Sequence, residues 1–135
     1  MNLPPDIEFN QELGLCLWRP RLILSEAVVN KVIAFLGAKE AMSEKPFNRF
    51  SDTVAVDAID LNFRYIFHVA LFRRLSYAGR PPVKSAILVP SIERDRYTKM
   101  HALLTRGSPL EVKIFEEREA AAKWLGVSLD VLEPK

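Results

Sequence analysis

A chain of 135 residues has room for one ordinary domain, and at that length about two-thirds of the unfolded surface leaves water, enough for a core without staples. Apolar residues make up 49% and charged ones 27%, with a formal net charge of +2, which excludes a disordered chain and the strong field of a nucleic-acid or anionic-membrane binder. A single cysteine, Cys16, excludes an intrachain disulfide, the start MNLPPDIEF has no signal-peptide pattern, and no apolar run nears the ~20 residues of a membrane span. The expectation is a cytoplasmic protein of one domain spanning residues 1–135.

After Pro4 and Pro5, Ile7 to Phe9 reads as a short strand, so the first dozen residues are an edge strand or an arm. Leu13, Leu15 and Leu17 alternate with Gly14, Cys16 and Trp18 at the period of a strand, which Arg19-Pro20 breaks. Ser25 is an N-cap, and Val28, Val32, Phe35 and Leu36 recur at helical spacing until Gly37. A polar stretch then leads into FNRFSDTVAV, β-branched and aromatic enough to be one strand. A long helix follows, capped by Asp60 and stopped by Gly79, Pro81 and Pro82. VKSAILVP is a nearly unbroken apolar run between prolines, the mark of a parallel strand buried on both faces. Ser91 is set to cap a helix through Arg106, a turn at Gly107 to Pro109 precedes the strand EVKIF, and EREAAAKWLG is a short amphipathic helix. Ser128 caps a last turn over LDVL. This alternation predicts an α/β fold: a mixed, mostly parallel sheet of four to five strands with helices packed on it.

The chemistry is sparse. His68 and His101 lie in different helices with no second ligand at metal spacing, so no metal is expected. Cys16 stands between two leucines and reads as a small hydrophobe. The chain has 5 glycines and no phosphate-binding loop, so no cofactor is expected. Arg73, Arg74, Arg80 and Lys84 gather at the end of one helix, and Arg94, Arg96, Lys99 and Arg106 lie on the next. Glu93 and Asp95 interleave with the second group, a solvated face rather than a nucleic-acid footprint.

The central helix is the most telling element. At about 100° per residue it shows two apolar faces. Leu61, Tyr65, Val69, Phe72 and Ser76 form an uncharged one, the expected core face. Phe63, Ile66, Phe67, Ala70 and Tyr77 form the other, with Arg74 among them. Aromatics with an arginine are the types enriched at interfaces, so Phe63, Phe67, Ala70, Arg74 and Tyr77 form a candidate surface for a homodimer or another protein partner. The alternatives are cover from the same domain, or an apolar ligand slot beneath the helix.

NRFSDTVAVDAIDLNFRYIFHVALFRR, then PPVKSAILVP, then VKIFEEREAAAKWLGV, resembles the SpoIIAA-like, STAS-related proteins of bacteria. In that group an arginine-phenylalanine strand with a nearby aspartate precedes the central helix. Its tail has a phenylalanine and then an alanine-bearing helix, here Phe115, Ala120 or Ala121, Trp124, Leu125 and Gly126. The resemblance runs from about Leu13 to Val127 and implies a SpoIIAA-like sheet with helices, no catalytic activity, and work as an interaction module. STAS antagonists of anti-sigma factors switch partners when a serine at the start of the central helix is phosphorylated. Here Asp60, Leu61 and Asn62 occupy that place, with no serine or threonine among them.

Three readings follow in order. The first is a non-enzymatic module binding a protein partner or itself through the central helix. Second comes a binder of a small apolar molecule or lipid in a pocket beside that helix. An enclosed apolar pocket with a few polar groups favours it; a flat aromatic face favours the first. The third is an enzyme using His68 or His101 with a nearby carboxylate such as Asp60, a reading that both histidines lining one cleft would favour.

Overall fold

A computed structural model describes residues 4–134 of the protein. Along the chain run β1 (Ile7–Asn10), β2 (Leu15–Trp18), β3 (Leu22–Ser25), α1 (Glu26–Met42), β4 (Asn48–Asp52), β5 (Val56–Asp60) and α2 (Phe63–Tyr77). Then come β6 (Val83–Leu88), α3 (Arg96–Leu104), β7 (Leu110–Phe115), α4 (Arg118–Leu125) and α5 (Leu129–Leu132). One five-stranded sheet has the order β1-β2-β4-β6-β7, with β1 antiparallel to β2 and the remaining neighbours parallel. The predicted mixed, mostly parallel sheet is therefore present, and β1 is its edge strand. The first three residues of the expected arm lie outside the described residues.

The strand order climbs without reversal. Right-handed crossovers then place α1, α2 and α3 on one face of the sheet, leaving the other to the C-terminal helices. The period-two alternation of the strands serves both faces. Leu15, Leu17, Phe50, Ala86, Leu88 and Phe115 point to α4 and α5, where they pack with Ala121, Ala122, Leu125 and Leu132. Gly126, at φ 75°, closes α4 in the left-handed conformation that glycine adopts without a Cβ penalty.

Behind them, Asp52 is buried and takes Arg19 at 3.0 Å and Arg118 at 2.8 Å. The arginine-phenylalanine strand with its aspartate thus divides its labour: Phe50 fills this core and Asp52 ties it to the start of α4.

Several boundaries differ from expectation. Arg19-Pro20 ends β2, but the chain re-enters extended structure at once as β3, with Leu22 at φ 62° beside a register shift. FNRFSDTVAV is not one strand. It turns after Asp52, whose carboxylate accepts the Val54 N–H, and resumes as β5, which pairs in parallel with β3 in a separate two-stranded sheet. Helix α1 runs through Gly37 because strong helix formers, Ala38 to Met42, follow it and offset a penalty of about 1 kcal/mol. Its cap is Ser25, as expected, accepting from the Val28 N–H at 3.3 Å. Helix α2 is capped by Asn62 rather than Asp60, and α3 by Asp95 rather than Ser91. In both, a side chain nearer the first turn reaches the free N–H groups.

Candidate functional site: a cavity under the central helix

On the face covered by α1, α2 and α3, packing is concentrated at the two ends. Ile7, Cys16, Val32, Phe35, Leu36 and Phe47 form one cluster at the β1–β2 end, and Tyr77, Val83 and Leu110 form another toward β7. Over β4 and β6, between them, lies a cavity of about 440 Å³, within the ~300–1,000 Å³ usual for small-molecule sites. Cys16, Arg49, Ser51, Ser85 and Ile87 line it from the sheet, Val32 and Leu36 from α1, Ile66, Val69 and Arg73 from α2, and His101 from α3. Asp57, Ala58 and Ile59 of β5 are also lining residues and are exposed, so β5 forms part of the rim. A neighbouring groove of about 600 Å³ separates α1 from α2 and shares Ile33, Leu36, Val69 and Arg73 with the cavity.

The lining is mainly aliphatic, yet it holds three nitrogen-rich side chains. Arg49 is 3% exposed and lies near the rings of Phe47 and Tyr77, with its guanidinium carbon 5.0 and 5.4 Å from their centroids. Its Nη1 donates to the Tyr77 hydroxyl, which donates in turn to Glu40 Oε1, each at 2.5 Å. Arg49 Nη2 lies 3.5 Å from the same carboxylate oxygen, an ion pair without hydrogen-bond geometry, and Arg49 Nε and Nη2 have no hydrogen-bond partner among the described residues. Glu40 is shared again, with Arg80 at 3.3 Å.

Arg73 stands beside this group. Burial, aided by repulsion from Arg49, lowers its pKa to about 10, against the pull of Tyr77 and Glu40, and it remains a cation at neutral pH. His101 is buried, neither ring nitrogen has a hydrogen-bond partner among the described residues, and burial with the nearby Arg73 charge pushes its pKa down to about 3. It is a neutral imidazole. Burial also raises the Cys16 thiol to about 11, against the weaker opposing charges of Arg49 and Lys39, so it is a protonated small hydrophobe, as its place between leucines implies.

The candidate surface on α2 divides. Phe63, Phe67 and Arg74 are exposed, while Ala70 and Tyr77 are buried, at 0% and 5% exposure. The helix rests on Ile66, Val69, Ala70, Arg73 and Tyr77, a strip that runs between the two apolar faces read from the sequence. Phe72, assigned to the core, is exposed. The charge of Arg73 hid this strip: an arginine is accepted there because it adjoins a cavity and the Tyr77–Glu40 pair. Arg74 donates to the carbonyls of Leu104 and Arg106 at 3.3 and 2.6 Å, placing its charge at the negative end of α3.

At the helix start, Asp60 ends β5, the Leu61 carbonyl accepts from the Tyr97 hydroxyl at 2.9 Å, and Asn62 accepts from the Tyr65 N–H at 2.8 Å. The switch position is filled by an ordinary capping amide. His68 lines the groove and His101 the cavity, and Asp60 lines neither, so the two histidines do not share one cleft. Among the described residues no cluster of potential metal ligands occurs.

Sequence reading missed Arg49, Ser51 and Ser85 as site residues. Their signal was present: in NRFSD and VKSAIL, polar residues occupy alternate positions of central strands, where a sheet covered on both faces calls for apolar ones.

No family model matches the chain, and no curated protein matches it closely. Among solved structures it is similar to an uncharacterised protein of the DUF3478 family with a SpoIIAA-like fold from Shewanella loihica PV-4. That likeness has a TM-score of 0.56 at 18% identity and covers 88% of this chain and 89% of the other. The climbing parallel sheet, the helices on both its faces and this likeness together make the chain a SpoIIAA-like fold.

Proposed function

We propose that the protein binds a small, largely apolar molecule in the cavity beneath α2 and performs no chemistry on it. One observation carries the reading: about 440 Å³ of mainly aliphatic space lies over the two central strands, where a domain built only to fold would be close-packed. The exposed rim on β5 provides a way in. A protonated Cys16 and a neutral His101 offer no activated nucleophile or base pair, so the site holds rather than converts. The single buried thiol suits work in the reducing cytoplasm. Titration with the neutral probe N-phenyl-1-naphthylamine tests this. Saturable one-site fluorescence enhancement is expected, and only weak, non-saturating enhancement would refute it.

A second reading, self-association, has its own support. Phe63, Phe67, Leu71 and Leu75 form one exposed row at four-residue spacing along α2, flanked by exposed Phe72. Such a row meets its equal on a second copy of the chain across a two-fold axis. Light scattering over a dilution series is the check: a dimer is expected, and a monomer at every concentration refutes it.

A further inference from the structure

The cavity wall is mainly apolar, yet Arg49, Arg73 and His101 gather in it. Resting on the cavity reading above, we infer that the ligand is a single-chain amphiphile with a compact anionic head, a carboxylate in the simplest case, held by Arg73 and Arg49 with the His101 imidazole as a hydrogen-bond partner. The count of charges favours this. Arg49 and Arg80 pair with the carboxylate of Glu40, and among the described residues no ion pair to Arg73 occurs. That leaves an excess of positive charge beside a space of low polarity, where an unbalanced ion is costly.

The hydrogen bonds point the same way. Among the described residues, Arg49 Nε and both ring nitrogens of His101 are buried with no hydrogen-bond partner, Arg49 Nη2 has only its ion pair with Glu40, and both residues line the cavity. A carboxylate accepts from guanidinium N–H groups and from the one N–H of a neutral imidazole, whereas a cationic head would be repelled and an alkyl end would leave these donors unmet. The other walls, Val32, Leu36, Ile66, Val69 and Ile87, are of a kind to take the tail. The acidic lining residues, Asp57 and Asp95, belong to β5 and the α3 cap, not to the cationic group.

The test uses the full chain and three probes with one tail: dodecanoate, 1-dodecanol and dodecylamine, each displacing N-phenyl-1-naphthylamine below its micelle concentration at pH 7.5. Dodecanoate is expected to bind at least tenfold more tightly than dodecanol, with dodecylamine weakest. In Arg73→Gln the acid-to-alcohol ratio falls toward one, and Arg73→Lys restores part of it.

If the alcohol binds as well as the acid in the native chain, the anionic head is wrong while the cavity reading stands. If the naphthylamine probe itself does not bind, the cavity reading falls and this inference with it. Should Arg73→Gln fail to fold, the acid–alcohol comparison on the native chain still decides.

Discussion

Arg49 of β4 donates to the hydroxyl of Tyr77 at the end of α2, a 2.5 Å bond that fixes the central helix to the central strand at one point beside the cavity. Because the same hydroxyl donates to Glu40 of α1, three elements meet in one polar contact. Tyr77→Phe removes the relay and leaves Arg49 Nη1 buried without it, a loss of about 1–3 kcal/mol in urea unfolding. Combined with Glu40→Gln, the cost is less than additive, since both variants break one network.

Neighbouring residues of β6 face different environments. Leu88 is 1% exposed in the well-packed core against α4 and α5, while Ile87 lines the cavity. Leu88→Ala should cost about 3–5 kcal/mol, the usual result of hollowing a close-packed core. Ile87→Ala only enlarges an existing space and should cost about 1 kcal/mol. Equal losses would mean that the two faces are equally packed.

Filling the space should trade binding for stability. Ser85 is buried on the cavity side of β6, and Ser85→Leu puts a branched aliphatic group into that space. An unfolding free energy raised by about 1 kcal/mol is expected, together with at least a tenfold loss of naphthylamine affinity.

Stability should also fall as the solution is acidified, ahead of the carboxylates. His101 has a folded pKa of about 3 against 6.5 unfolded, so between those values the unfolded chain takes up a proton that the native one refuses. The contribution is intact above about pH 6.5 and is lost progressively below it, by about 2 kcal/mol between pH 7.5 and 5. His101→Gln should flatten this part of the profile; an unchanged slope would place the proton uptake elsewhere.

Much of the fold was legible because it rests on local signals. The apolar run bounded by Pro82 and Pro90 is β6, the alternation around Cys16 is β2, and Trp124-Leu125-Gly126 closes α4. What escaped depends on distant partners. Strand β5 exists by pairing with β3, whose Leu22–Ser25 follows a proline break and carries too little pattern alone. The orientation of α2 escaped because Arg73 occupies its buried strip. Only the position of Glu40, over thirty residues earlier and brought near through Tyr77, makes a cation tolerable there. The cavity itself is a failure of packing between elements, which periodicity cannot register; the polar alternation in NRFSD was its trace.

The most direct measurement is an amide and methyl NMR titration of the labelled full chain with 1-dodecanol, a neutral ligand that isolates the apolar space from any preference for charge. Binding within the cavity predicts saturable shifts at Val32, Ile66, Val69, Ser85, Ile87 and His101, with Leu71 and Leu75 on the outer row unmoved. Shifts confined to that outer row, or none below the solubility limit, would mean that the cavity takes up no apolar ligand.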